Sequence, residues 1–266
     1  MKVGISSSCF YPLVTEQSLL EVARLGVQTA EVFISCATEL NPPYFDEILR
    51  VVRDYSLDLV SLHPFGALDT QYLFSNYERR KDAAFELYKR HFERMAQLHS
   101  QIFVLHGVRK QTPVDEEFYF ERFAELQATA NQFGVTVAQE NVERAMSGDL
   151  GFLKRMCGYL GDTAKFVLDI KQATRSGYAP TRFVEALGSH IVHIHASDNL
   201  AGVKAKDCLP VGQGDFDFDC FFRKLRAVGF DGAVIVELYR SGFDQAAELL
   251  DSAKRLQQHI ERSDDK

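Results

Sequence analysis

Six ionisable side chains stand at the ends of short apolar runs: His63 in SLHPFG, His106 in VLHG, Glu140 in AQEN, Asp169 in VLDIKQA, His195 in IHASD and Glu237 in VELY. Three carboxylates and an imidazole, with no Lys or Arg at any of these positions, would repel one another if they converged, unless a cation occupied the space between them. A divalent metal resolves the conflict. Ligation by Glu140, Asp169 and Glu237 with one of the histidines is rich in oxygen and contains no thiolate. It therefore suits one divalent ion, Mn²⁺ or Zn²⁺ first and Mg²⁺ or Co²⁺ next, rather than a cysteine zinc site.

The stretch HIVHIHASD, His190 to Asp198, shows how such side chains are delivered. Its β-branched positions read as a buried strand, and residues two apart on a strand point the same way, so His193 and His195 share a face. His193 lies within the run and reads as a packed interior histidine. His195, at the end, reads as either a ligand or a packing residue, and the rest of the chain decides between them.

The same pattern recurs along the chain. Strands are expected at Lys2–Ser6, Thr29–Ile34, Leu57–His63, Ile102–His106, Val135–Glu140, Lys165–Asp169, His190–His195 and Ala233–Leu238. Helices alternate with them near 15–25, with Thr15 as N-cap and Gly26 as stop, and near 44–55, 78–99, 115–133, 149–160, 181–187, 218–228 and 245–260. Eight strand-helix units without a linker or repeat boundary favour one closed parallel (β/α)8 barrel over residues 1–260, followed by a short tail at 261–266. In such a barrel every strand opens its carboxyl end on one face, where active sites lie, so the six side chains converge.

Bulk properties exclude several classes. The 266 residues are 46% hydrophobic and 25% charged, the balance of a globular α/β protein, and no apolar run is long enough for a membrane span. A net charge of −7 opposes sequence-independent attraction to nucleic acid. The five cysteines show no C-x-x-C pairing and the amino terminus has no hydrophobic leader, so a reducing cytoplasm is expected.

As an ordered set, SLHPFG, VLHG, AQEN, VLDIKQA, IHASD, LPVGQGDFDF and VELY resemble the xylose isomerase-like TIM barrels, which include sugar phosphate isomerases and epimerases and the family 2 apurinic endonucleases. The resemblance implies that Glu140, Asp169, His195 and Glu237 hold one metal, with Glu140 and Glu237 as the catalytic pair flanking the reacting carbons. Gln172 stands where the endonuclease branch carries a histidine, and Lys206-Asp207-Cys208 where it carries an Asp-x-His. A three-metal nuclease site is thus incomplete.

The expectation is a metal-dependent isomerase or epimerase of a small sugar, sugar phosphate or related polyhydroxy carbonyl compound, working by proton transfer through a metal-stabilised enediolate. The alternatives are an endonuclease-like phosphodiesterase and a related sugar or inosose dehydratase. His63, His106, Gln172, Lys204 and Arg240 are expected to touch the substrate, the two cations by meeting a phosphate or acid group. The aromatic stretch 64–77 reads as a substrate lid, and Gly212-x-Gly214 as a weak phosphate signal. A homodimer is compatible with the helical shell.

Overall fold

The computed structural model describes residues 1–203 and 207–263. In chain order the elements are β1 (Lys2–Ser6), α1 (Thr15–Arg24), β2 (Thr29–Ile34), α2 (Tyr44–Tyr55), β3 (Asp58–Pro64), α3 (Ala67–Leu73), α4 (Glu78–Leu98), β4 (Ile102–Leu105) and α5 (Glu116–Asn131). The second half adds β5 (Thr136–Glu140), α6 (Leu150–Leu160), β6 (Phe166–Asp169), α7 (Ile170–Arg175), α8 (Pro180–Leu187), β7 (Ile191–Ala196), α9 (Phe218–Ala227), β8 (Ala233–Val236) and α10 (Ala247–Arg262). Among the described residues the eight strands close in sequence order into a parallel barrel, β8 pairing back onto β1 through Lys2 to Ile5 against Ala233 to Val236. The chain is a single-domain TIM barrel.

Two apolar layers hold it together. The larger lies between strands and helices and is dense in aromatic rings, with Phe103 packed edge-on against Phe92 at 5.3 Å and against Tyr88 at 5.6 Å. The smaller, Val104, Ala138 and Val167, plugs the barrel interior. Each of these three stands two residues before His106, Glu140 or Asp169, so strand alternation seats the ionisable layer directly above an apolar floor.

Strand and helix positions agree with the sequence reading to within one to a few residues, with four corrections. Thr15 is not the cap of α1: Val14 is, and the Thr15 hydroxyl donates to the Phe33 carbonyl at 2.9 Å and to Glu39 at 3.0 Å, tying α1 to β2. His106 and Glu237 lie one residue beyond β4 and β8, whereas His63 and His195 are the penultimate residues of β3 and β7. The aromatic stretch after β3 is not all loop, because it folds into α3. Its aromatics divide: Phe74 is buried and stacks on Tyr119 at 3.9 Å, while Phe65 is 62% exposed and stacks on Tyr11 at 6.1 Å. The fourth is α7, a short helix that starts immediately after Asp169.

All five cysteines are free thiols. Among the described residues no helix is long and apolar enough to cross a membrane.

One buried histidine couples this packing to pH. His91 of α4 is 3% exposed, lies 5.7 Å from the Phe103 ring and donates through Nδ1 to the Leu87 carbonyl at 2.9 Å. Burial holds its pKa down at about 4, against the partial support of that carbonyl. The unfolded chain takes up a proton below the ordinary value of about 6.5 while the folded chain refuses it until about 4, so stability is lost as pH falls through that window. The full effect is about 3 kcal/mol. His91→Leu is therefore expected to flatten the fall in melting temperature between pH 6.5 and 4; parallel curves for the two proteins would refute this account.

Candidate active site

At the carboxyl-end face the strand register builds the site around Glu31. Ser6 of β1 pairs with Glu31 of β2, which pairs in turn with Ser61 of β3 after an irregularity between Ala30 and Glu31. Both hydroxyls donate to the Glu31 carboxylate, Ser6 at 3.0 Å and Ser61 at 2.8 Å. His195 Nε2 lies 3.0 Å and His193 Nε2 3.2 Å from Glu31 Oε2, and His63 Nδ1 lies 3.5 Å from Oε1. Glu31 is completely buried, so its charge persists only because these donors replace water. They do so electrostatically as well. Burial alone would raise the Glu31 pKa, but His195, His193 and His63 hold it well below the carboxylate range.

His195 passes that anchoring across the barrel. With Nε2 on Glu31, its Nδ1 faces three more carboxylates, 3.1 Å from Glu140 Oε1, 3.6 Å from Glu237 Oε2 and 4.0 Å from Asp169 Oδ2. The pairing of Asp169 with His195 between β6 and β7 sets this approach. Asp169 also caps α7: its Oδ1 accepts from the Gln172 amide at 2.7 Å, which leaves Oδ2 free to face the site. Asn141 clamps the same turn, accepting from the Asp169 amide at 2.7 Å and donating to its carbonyl at 3.0 Å.

Glu140, Asp169, His195 and Glu237 each offer a ligand atom within 4.8 Å of the others. Glu140 Oε2 and Asp169 Oδ2 are buried without a well-formed hydrogen bond, and each faces a basic group instead, His106 Nε2 at 3.0 Å and the Lys171 ammonium at 3.2 Å, the condition expected of oxygens that serve a cation. The donor set therefore fits a divalent ion.

Sequence positions alone suggested that no lysine or arginine balances this charge, and the structure corrects that. Lys171, on the first turn of α7, is 3% exposed and lies 3.0 Å from Glu237 Oε2 and 3.2 Å from Asp169 Oδ2. Its ammonium also sits 4.7 Å from the centre of the Tyr239 ring. Glu31 and Lys171 thus complete the cluster, and Glu31 with His63, His195 and Glu237 forms a further group whose ligand atoms lie within 4.8 Å of one another. The signal for Glu31 was an acidic residue inside the apolar strand TAEVFI; that for Lys171 was a lysine two residues after a strand-end Asp.

The charges are strongly coupled. Burial would lower the His195 and His63 pKa values, but neighbouring carboxylates push His195 well above the histidine range and His63 up to about 10. Burial raises Asp169 to about 6, with Glu140 and Glu237 opposing the help of Lys171. Glu140 and Glu237 stay ionised in spite of burial, the first through His106 and His195, the second through Lys171, His195 and His63.

The expected substrate contacts divide. His63 and His106 join the cluster, their Nε2 atoms 2.5 Å apart, with His106 Nε2 3.0 Å from Glu140 Oε2. Gln172 accepts from the Glu143 amide at 3.0 Å and, with Val142, Arg144, Arg175, Asp207 and Tyr239, lines an adjoining cavity of about 540 Å³. Arg240 turns to its own loop, donating to the Phe243 carbonyl at 2.9 Å and lying over that ring at 4.8 Å. Lys204 lies outside the described residues. The Gly212 and Gly214 amides do not await a phosphate: both donate to Asp198, at 2.8 and 3.0 Å.

Because Glu31 is the shared acceptor of two hydroxyls and the histidines, Glu31→Ala is expected to cost about 3–5 kcal/mol, as for other broken buried ionic networks. Glu31→Gln, which keeps one accepting oxygen, should cost less. Chemical denaturation measures both, and a loss below about 1 kcal/mol for the alanine variant would contradict the anchoring role.

With the geometry established, similarity to known proteins adds the lineage. An uncharacterized protein of Methanocaldococcus jannaschii is 26% identical over 251 residues, covering 89% of this chain and 83% of that one. Among solved structures, a D-tagatose 3-epimerase-like protein superposes with a TM-score of 0.80 at 21% identity, covering 99% of this chain and 98% of that chain. The IOLI protein with a binding zinc atom superposes with a TM-score of 0.77 at 18% identity, covering 99% of each. Residues 19–260 match the xylose isomerase-like TIM barrel family, and the chain belongs to that family.

Proposed function

We propose that this barrel is a divalent-metal-dependent isomerase or epimerase of a small sugar, sugar phosphate or related polyhydroxy carbonyl compound. One observation carries the reading. Glu140 from β5 and Glu237 from the end of β8 meet over His195 Nδ1 at 3.1 and 3.6 Å, with Asp169 beside them. Two carboxylates approaching one point from different strands suit removal of a proton from one face of a carbon and its return to the other. The similarity to a D-tagatose 3-epimerase-like protein and to a zinc-binding barrel supports the same class.

A divalent ion held by Glu140, Asp169, His195 and Glu237 would supply Lewis-acid polarisation of the substrate carbonyl. The chain's own groups do the rest. Glu140 and Glu237 take and return the proton next to that carbonyl. His63 and His106 offer imidazole nitrogens to substrate hydroxyls, and the cavity beside Gln172 and Tyr239 has the volume for a small polyhydroxylated molecule. Glu31 keeps His195 turned with Nδ1 inward. If a hydroxyl left after the same proton removal, the product would be that of a dehydratase, which product analysis distinguishes.

A second reading has its own observation. His63, His106 and Glu140 form another group whose ligand atoms lie within 4.8 Å of one another, sharing Glu140 with the first. Two metals per chain together with incision of an abasic-site duplex would favour phosphodiester cleavage.

The test uses substrate found by screening ketoses, ketose phosphates and inososes with metal-loaded protein. Glu140→Gln and Glu237→Gln keep a coordinating oxygen but lose the proton acceptor, so turnover should fall by at least about a hundredfold. In D₂O the wild-type protein should place deuterium at the carbon next to the carbonyl. Full activity of both variants with metal bound would make the two glutamates ligands only, and turnover without solvent deuterium would point to hydride transfer or to tight recycling of the abstracted proton.

A further inference from the structure

The oxygens that would ligate the metal already have a cation of the protein's own. Lys171 Nζ approaches Glu237 Oε2 at 3.0 Å and Asp169 Oδ2 at 3.2 Å, and these same two atoms face His195 Nδ1 at 3.6 and 4.0 Å. The ammonium is not a surface charge leaning inward: its side chain is 3% exposed, is carried on the first turn of a helix that Asp169 itself caps, and lies beneath the Tyr239 ring. Its stem is short of slack, because Lys171 is only two residues from Asp169, whose turn Asn141 clamps on both backbone groups.

We propose that Lys171 is an internal competitor for the metal position: its ammonium holds Asp169 and Glu237 together, and a divalent ion gains those carboxylates only by weakening that ion pairing. The proposal rests on the metal-dependent reading given above. Its physical basis is charge. An ammonium and a divalent ion drawn to the same two oxygens stand a few ångströms apart in a buried setting, where their repulsion is weakly screened. Without the ammonium, Glu237 and Asp169 would lie side by side with only His195 and, for Glu237, His63 opposite them, which is costly in the absence of metal. Lys171 therefore does two things at once. It keeps the carboxylates assembled in metal-free protein, and it lowers metal affinity, so that the ion exchanges more readily than at a site with the same four ligands and a neutral neighbour.

The experiment uses full-length protein stripped with chelator and titrated with Mn²⁺, affinity being read by calorimetry and by the Mn²⁺-dependent rise in melting temperature. Lys171→Met keeps the length of the side chain and removes its charge. It is expected to bind Mn²⁺ at least about tenfold more tightly than wild type and to melt at a lower temperature when metal-free. Lys171→Arg, which keeps the charge, should stay closer to wild-type affinity than to that of Lys171→Met. Should Lys171→Met not fold without metal, Lys171→Gln carries the same expectation. Unchanged or weaker Mn²⁺ binding by the neutral variant, with wild type binding normally, overturns the competitor role and leaves the metal-dependent reading standing. Failure of both wild type and neutral variants to bind Mn²⁺ overturns the two together.

Discussion

Four carboxylates share the mouth of this barrel, and their mutual repulsion is the constraint to which the surrounding structure answers. Glu31, Glu140 and Asp169 are at most 2% exposed and Glu237 is nearly as enclosed, so water cannot screen them. The compensation is arranged in two tiers. On the β1 to β3 side, two serine hydroxyls and imidazoles from β3 and β7 surround Glu31. On the β5 to β8 side, His195 and Lys171 face the remaining three. His195 belongs to both tiers, one nitrogen on each, which makes it the hinge of the electrostatic arrangement.

A buried ionic cluster of this kind contributes little net stability, because the desolvation of each group offsets most of what the pairings return. The apolar layers stabilise the fold instead. The aromatic shell outside the strands and the Val104, Ala138 and Val167 plug inside them hold the strands in register, and register places each charge against its partner. A slip of one residue in β2 would turn Glu31 away from both serines, since side chains alternate across a strand. Packing here positions chemistry rather than merely supporting it.

The contrast between Gln172 and Lys171 shows how a shared framework acquires its own character. Gln172 closes the turn by accepting from Glu143 and lines the adjoining cavity, while its neighbour in sequence brings a positive charge among the metal-ligand candidates. Asp169 serves both arrangements, one oxygen capping the helix and the other aimed at the centre.

Much of this was legible in the residues themselves. Short apolar runs alternating with helical stretches specify eight strand-helix units, and a parallel barrel must open all its strand ends on one face, so the convergence of His63, His106, Glu140, Asp169, His195 and Glu237 follows from topology alone. Local chemistry was legible only where it depends on local chain. Thr15 reads as a cap from its neighbours, yet tertiary contact with Phe33 and Glu39 takes its hydroxyl elsewhere. Gly212 and Gly214 read as a weak phosphate signal, yet their amides are taken by the Asp198 carboxylate, 14 and 16 residues earlier in the same connection between β7 and α9. Glu31 and Lys171 were beyond reach for a related reason. A lone acid in an apolar strand and a lysine on a short helix carry meaning only once the barrel brings Glu31 of β2 to His195 of β7 and the first turn of α7 brings Lys171 to Glu237 just beyond β8, because charge pairing between residues 66 and 164 positions apart in the chain is a property of space rather than of sequence.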